Sequence, residues 1–387
     1  MRSRKSLAQL VVMIGLSLLA ACGNHEIVRP DPQHPHHNAD GYFNSDGSRI
    51  ELGMSDVIGF YWQMLRADRK PVPADMRPIV PDLGYLRDNR DETSLTWIGH
   101  ATALLQMGGV NVLTDPQFSE RASPFTWTGP KRRTPPAMSI AELPAIDVVL
   151  ISHDHYDHLD EASVRALITR SNPTFVVPLG VDEILRSWGA SKVVALDWWA
   201  SAHVKALPSA DGKPQAGEID VTLVPAHHWS KRGLFGRNER LWGGFVVQSA
   251  SFKAYYAGDT GYAGIFKEIG EKYGPFDLAL IPVGSYEPRD FMQHQHVNPE
   301  EAVKIHQDVM SKQSVAVHWG TWDLSLEALD APRTALPAAL EAASVSRDDF
   351  ALFRLGETGM WRVEKPADNR GQTRSNPKRQ WRKGEAR

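Results

Sequence analysis

Within six residues, His153-Asp154-His155-Tyr156-Asp157-His158 places five side chains able to hold a metal directly behind an apolar run, Val148 to Ile151. His153 and His155 alternate past the end of that run, so their imidazoles can converge on one cation if the chain curls there. Asp157 and His158 then serve a second position. Imidazole and carboxylate donors without thiols suit zinc and tolerate manganese or iron. One loop cannot complete two coordination spheres, and three later stretches offer the remainder, each just past an apolar run. These are His227-His228 after Val224, Asp259 after Tyr255-Tyr256-Ala257-Gly258, and His318 after Val315-Ala316-Val317. Two neighbouring cations lower the pKa of a bridging water and stabilise charge on a phosphoryl or acyl oxygen under attack, so such a site can hydrolyse without a protein nucleophile.

These residues need strands to deliver them. Apolar stretches closed by polar turns predict strands over Ser94–Ile98, Ala103–Met107, Val110–Thr114, Val148–Ile151, Thr174–Pro178, Ile219–Val224, Gly244–Val247, Ala254–Ala257, Leu278–Ile281 and Val315–Val317. Helical periodicity predicts helices over Asp160–Thr169, Val181–Trp188, Tyr262–Tyr273 and Pro299–Met310. The layout is mixed α and β. Ile146-Asp147-Val148-Val149-Leu150-Ile151 is echoed by Phe276-Asp277-Leu278-Ala279-Leu280-Ile281, as two related sheets would require. The apolar residues between Val57 and Leu65 could line an acyl groove or lie against the membrane; they are not confined to one helical face, which predicts a buried or lid helix over a purely interfacial one. His100 and Asp115, near strand ends, could support the metal ligands from behind or equally hold a turn.

The 387 residues, 42% of them apolar, can bury one large core or two ordinary ones. Arg2, Arg4 and Lys5 precede an apolar run, Leu10 to Ala21, too short for a comfortable membrane span; residues 1–21 read as a secretory signal. Leu19-Ala20-Ala21-Cys22 resembles a bacterial lipobox, which implies that Cys22 is lipidated and anchors the chain in the cell envelope. Resemblance to sorted lipoproteins implies that Gly23, rather than an aspartate, after the cysteine favours the outer over the inner membrane. Cys22 is the only cysteine, so neither a disulfide nor a thiol nucleophile is available. Residues 22–49, rich in Pro, His, Asn, Asp and Gly, read as a flexible tether, and His34, His36 and His37 within it as surface histidines without a role. A hydrolase domain is expected over 50–363. Residues 364–387 hold eight basic and three acidic residues, a basic disordered tail of net +5. With +3 in the signal and −3 overall, the stretch between carries −11, which opposes nucleic-acid binding.

The order of motifs resembles the metallo-β-lactamase superfamily, which implies a four-layer αββα sandwich and a site of two zinc ions. The resemblance assigns His153, His155 and His228 to the first ion, Asp157, His158 and His318 to the second, and Asp259 to both. Longer strings resemble the N-acylphosphatidylethanolamine-hydrolysing phospholipase D family: Trp97-Ile98-Gly99-His100-Ala101-Thr102, His228-Trp229 with Lys231-Arg232, Gly258-Asp259-Thr260-Gly261-Tyr262, Gly274-Pro275-Phe276-Asp277-Leu278, Tyr286-Glu287-Pro288-Arg289, Gln295-His296-Val297 and His318-Trp319-Gly320-Thr321. The match runs over about residues 94 to 322. That family has Gln where this chain has His227, which favours His228 as the ligand.

The resemblance implies a phosphodiesterase of phospholipase D type, releasing N-acylethanolamine and phosphatidic acid through a metal-bridging hydroxide. Asp157, Asp259 and His296 would be catalytic, with Tyr156 and His296 at the phospholipid head group. The expected partners are the phospholipid and the membrane. Because the metals do not fix the scissile bond, a lactonase or another phosphodiesterase is the alternative, and a non-catalytic lipid-binding envelope lipoprotein is the rival from another class.

Overall fold

The computed structural model describes residues 34–38, 41–209, 212–233 and 235–361, together with the backbone of 381–383. The first strands form a small antiparallel ribbon, β1 (His37–Asn38) with β2 (Gly41–Tyr42). Next come β3 (Thr93–Gly99), β4 (Thr102–Met107), β5 (Val110–Thr114), β6 (Val148–Leu150), β7 (Thr174–Pro178) and β8 (Val193–Leu196), laid side by side in one large sheet. The second sheet holds β9 (Ser201–Lys205), β10 (Glu218–Val224), β11 (Gly244–Gln248), β12 (Lys253–Tyr256), β13 (Leu278–Pro282), β14 (Ser314–Val317) and β15 (Phe350–Ala351), also in sequential order. The chain then returns to the first sheet, where β16 (Thr358–Trp361) pairs antiparallel with β3 and β17 (Trp381–Lys383) with β16.

Successive residues of a strand face opposite ways, and the two faces of the first sheet accordingly feed two cores. Ala103, Leu105, Val148, Leu150 and Val176 enter the core shared with the second sheet. Leu104, Val149, Ile151, Phe175 and Val177 enter an outer core. The helices Glu161–Arg170 and Val181–Ser187 close that outer core with Val164, Leu167, Val181 and Leu185. On the far side, Ile265–Tyr273, Pro299–Asp308 and Pro332–Ala342 cover the second sheet with Phe266, Ile269, Val303, Ile305, Leu336 and Leu340. This is the expected αββα arrangement. The echoed segments fall one in each sheet, as β6 and β13.

The predicted strands and helices are present, with ends displaced by a few residues. The sequence did not reveal β8, β9, β15 and β16. In β9 only Val204 is buried, so the edge strand carries almost no apolar signal. The helix Pro332–Ala342 begins on one proline and contains another, Pro337, which masks it.

Two expectations need correction. The helix Met54–Arg66 is not a buried one: it buries only Phe60, which stacks on Phe291 at 4.6 Å, and leaves Met54, Ile58, Trp62 and Leu65 exposed. The packed body also starts before residue 50. Tyr42 and Asn44 are buried, the Tyr42 N–H donates to the Asn238 carbonyl at 2.8 Å, and Asn44 receives the His228 N–H at 2.9 Å. A polar composition reads as a tether until the surface that receives its hydrogen bonds is known. Residues 1–33 of the expected signal, lipidated Cys22 and tether lie outside the described residues, as do 362–380 and 384–387. Among the described residues no helix is long and apolar enough to cross a membrane.

Candidate metal centre

The expected metal residues meet along one edge of the sandwich. Beyond β6, the loop leading to the helix Glu161–Arg170 carries His153, His155, Asp157 and His158. His228 follows β10, Asp259 follows β12, and His318 follows β14. β10 and β12 both run antiparallel to β11, and β12, β13 and β14 are parallel, so these strands release their following residues at one end of the second sheet. Backbone turns there are tight: φ is +52° at His100, +31° at Asp115, +61° at His318 and +64° at Gly258. Non-glycine residues in such conformations cost about 1–3 kcal/mol each. The surrounding core sustains them, since one fully buried large apolar side chain contributes about 1.5–3 kcal/mol.

Two donor groups are resolved. In the first, His153 Nε2 lies 2.8 Å from His155 Nδ1, and His228 Nε2 lies 3.3 Å from the same atom. In the second, Asp157 Oδ2 lies 3.4 Å from His158 Nε2 and 3.5 Å from His318 Nε2. Asp259 Oδ2 stands between the groups, 3.1 Å from both His158 Nε2 and His318 Nε2 and 4.0 Å from His153 Nε2. Nitrogens about 2.0–2.1 Å from a tetrahedral zinc ion lie roughly 3.3 Å from one another, close to these separations. His155 Nε2, His158 Nε2, Asp259 Oδ1, His296 Nδ1 and both ring nitrogens of His318 are buried without a hydrogen-bond partner in the protein. Buried polar atoms left in that state are costly, and a shared cation satisfies several together.

A second set of contacts aims the rings. The Ser152 hydroxyl meets His153 Nδ1 at 2.9 Å, leaving Nε2 toward the cluster. The Gln295 carbonyl takes His228 Nδ1 at 3.0 Å, with the same result. Asp115 Oδ2 holds His158 Nδ1 at 2.6 Å and also receives the Ser152 and Tyr256 hydroxyls, each at 2.5 Å. His100 Nε2 holds Asp157 Oδ2 at 3.0 Å. Outer partners of this kind set the tautomer and orientation of ligating imidazoles. Thus the expected supporting places of His100 and Asp115 are where the fold puts them. Sequence reading missed Ser152, Tyr256, Gln295 and Asn44; of these only Ser152, next to His153, carried a positional hint.

Electrostatics divides the histidines. Burial holds His153, His155 and His228 below the ordinary imidazole range, His155 at about 3, so they are neutral and keep a lone pair to coordinate. Burial opposes charge on His158 and His318 too, but Asp259 and Asp157 outweigh it and raise both, His318 to about 9. Burial likewise disfavours ionised Asp157 and Asp259, yet the neighbouring His158 charge leads the effects that hold both well below the usual carboxylate range. Buried Asp259 and partly buried Asp157 therefore demand positive charge nearby, which a divalent cation supplies on displacing the imidazole protons.

Three other residues are placed differently. His296 stands at the edge of the cluster, its ring stacked on His318 at 5.4 Å and its Nδ1 3.8 Å from Asp259 Oδ2. His227 turns away: Nδ1 meets the His294 carbonyl at 2.9 Å and Nε2 the Ser48 hydroxyl at 3.2 Å. Tyr156 donates its hydroxyl to the Arg232 carbonyl at 2.8 Å, and the Arg232 guanidinium covers its ring at 4.1 Å. Tyr156 thereby lines an open groove of about 1270 Å³ whose walls include Arg121, Phe125, Trp188, Arg232 and Phe235. The intervening Asp154 is buried and ties the histidine loop to the segment after His228, accepting the Lys231 N–H at 2.9 Å and pairing with Arg240, a groove residue, at 3.3 Å.

The profile of the Beta-lactamase superfamily domain matches residues 110–319. The chain is 40% identical over 320 residues to an uncharacterized protein of Mycobacterium tuberculosis, covering 81% of this chain and 82% of that one. It is 41% identical over 273 residues to the N-acyl-phosphatidylethanolamine-hydrolyzing phospholipase D 1 of Caenorhabditis elegans, covering 68% and 74% of the two chains. Among solved structures, the metallo hydrolase Igni18 of the archaeon Ignicoccus hospitalis shares the fold with a TM-score of 0.52 and 21% identity, over 71% of this chain and 100% of that one.

Proposed function

The chain belongs to the β-lactamase superfamily of metal-dependent hydrolases, and from that premise we propose that it is a zinc-dependent phosphodiesterase of phospholipase D type acting on N-acylphosphatidylethanolamine-like lipids. The observation that carries the reading is the donor cluster on a loop whose Tyr156, between His155 and Asp157 in the chain, also lines the groove. Arginine and aromatic side chains share that groove's walls, as an anionic head group with apolar tails requires. The 41% identity to a phospholipase D with this substrate in its name supports the same choice.

In this reading His153, His155 and His228 would hold one zinc ion and Asp157, His158 and His318 the other, with Asp259 available to either. Bound zinc supplies acidified water and polarises a phosphoryl oxygen. The protein's own contribution is orientation. Ser152, Asp115, Gln295 and His100 fix the ligand rings and Asp157, while the neutral imidazole of His296, held at about 3 by burial, hydrogen-bonds a phosphate oxygen. Arg232 and Tyr156 form the wall along which the lipid lies. Water adds to phosphorus, the bond to the ethanolamine oxygen breaks, and that oxygen takes the water's proton. The products are phosphatidic acid and N-acylethanolamine.

The exposed row Met54, Ile58, Trp62 and Leu65, spaced four, four and three residues apart on one helix, supports docking to a lipid surface. With lipidated Cys22 as an anchor, the enzyme would work at the bacterial outer membrane, where its substrate lies.

Purified zinc-loaded protein is to be incubated with N-acylphosphatidylethanolamine vesicles and, separately, with a lactone panel. Release of N-acylethanolamine and phosphatidic acid is expected. Turnover of lactones alone would overturn the assignment, and no turnover of either would favour a lipid-binding role.

A further inference from the structure

A second histidine cluster lies where the described chain begins. His34, His36 and His37 converge on Asp197, the residue after β8. His34 Nε2 and His37 Nε2 lie 3.5 and 3.2 Å from Asp197 Oδ2, and His36 Nε2 lies 2.8 Å from Oδ1. We propose that His34, His37 and Asp197 form an additional site for a transition-metal ion of the zinc class, separate from the hydrolytic centre, and that His36 positions the carboxylate.

The donor chemistry fits. Two imidazoles and a carboxylate suit zinc, and their ligand atoms all lie within 4.8 Å of one another. A tetrahedral zinc ion spaces its donors roughly 3.3 Å apart, which matches the 3.2 and 3.5 Å separations. The support is built as well. His36 is buried, stacked on Trp198 at 4.2 Å, and the Trp198 N–H donates to Asp197 Oδ1 at 2.7 Å. His36 and the Trp198 N–H engage Oδ1, His37 Nε2 stands 3.2 Å from each carboxylate oxygen, and Oδ2 faces both His34 and His37. The His34 and His37 rings stack at 5.2 Å with 24° between planes, so their nitrogens approach the carboxylate side by side.

The site has a structural consequence. It would pin the segment that continues through Tyr42, bonded to Asn238, to Asn44, whose side chain holds the His228 backbone N–H. Farther on, the Ser48 hydroxyl meets His227. A metal ion at Asp197 thus closes a clasp over the strap that packs behind the His228 ligand loop. It needs neither the phospholipase reading nor occupancy of the hydrolytic centre.

The test counts zinc by mass spectrometry in untagged, dialysed full-length protein, comparing wild type with the double variant His34→Ala/His37→Ala. The same comparison is repeated on an Asp259→Ala background, where the hydrolytic centre is impaired. One zinc equivalent fewer in the double variant on both backgrounds is expected, with zinc-dependent hydrogen-exchange protection of residues 41–48 only when both histidines are present. Equal zinc content with and without the two histidines would overturn the site. Asp197→Asn should reproduce the loss, and the His34→Ala/His37→Ala double variant decides the matter if Asp197→Asn fails to fold.

Discussion

Asp115 Oδ2 lies 2.6 Å from His158 Nδ1, both fully buried, and the same oxygen receives the hydroxyls of Ser152 and Tyr256. One carboxylate on the first sheet thus orients a ring of the ligand loop while being held in turn by a tyrosine of the second sheet. Asp115→Asn keeps the volume but removes the charge and one of the two acceptor oxygens, so the side chain can no longer accept from the Ser152 N–H at one end and from His158, Ser152 and Tyr256 at the other. A 10–100-fold loss in metal affinity or turnover is expected. Zinc content and kcat measured together check it, and unchanged values for both would sink the coupling.

Removing metal should remove activity reversibly. A chelator is expected to abolish lipid turnover and zinc to restore it, while His228→Ala and Asp259→Ala should lose both bound zinc and turnover. Either variant with full zinc and full activity would refute its assignment as a ligand.

The helix Met54–Arg66 offers a separate prediction. Ile58→Asp and Trp62→Asp lie on its exposed face, so the fold should tolerate them. Turnover on vesicles should fall several-fold through KM, with little change on a dispersed short-chain substrate. Equal losses on both substrates would point to a folding defect.

Gly258 precedes Asp259 at φ +64°, and an added Cβ would stand 2.8 Å from the Gly243 carbonyl oxygen and 2.9 Å from Ser152 Cβ. The left-handed conformation alone costs an alanine about 1–2 kcal/mol. Gly258→Ala should lower the unfolding free energy measured in urea by at least that amount, moving the midpoint down, and displace Asp259, read as reduced zinc binding. An unchanged midpoint would refute the strain argument.

Much of this was legible in the residues. Apolar runs located most of the strands of both sheets, because a strand buried on its faces must be written in apolar residues. The order of histidines and aspartates after those runs marked out the candidate centre, since ligands for one ion have to be imidazoles or carboxylates wherever they fall in the chain. The family assignment, too, lay in strings such as Gly258-Asp259-Thr260-Gly261-Tyr262.

Other features had no local signal. Nothing in the residues around Asn44 announces that it holds the backbone of His228, 184 positions away. Asp197 gives no sign of facing three histidines from a segment that reads as a tether. The outward face of the helix Met54–Arg66 depends on which neighbours leave it uncovered. His227 and His228 are identical in type and adjacent, and only the turn after β10 sends one ring into the cluster and the other to Ser48. Composition and spacing state which groups can do the chemistry. Which atoms meet is decided by the packing of two sheets, because hydrogen bonds and coordination act over about 2–3 Å and only the folded chain brings distant residues that close.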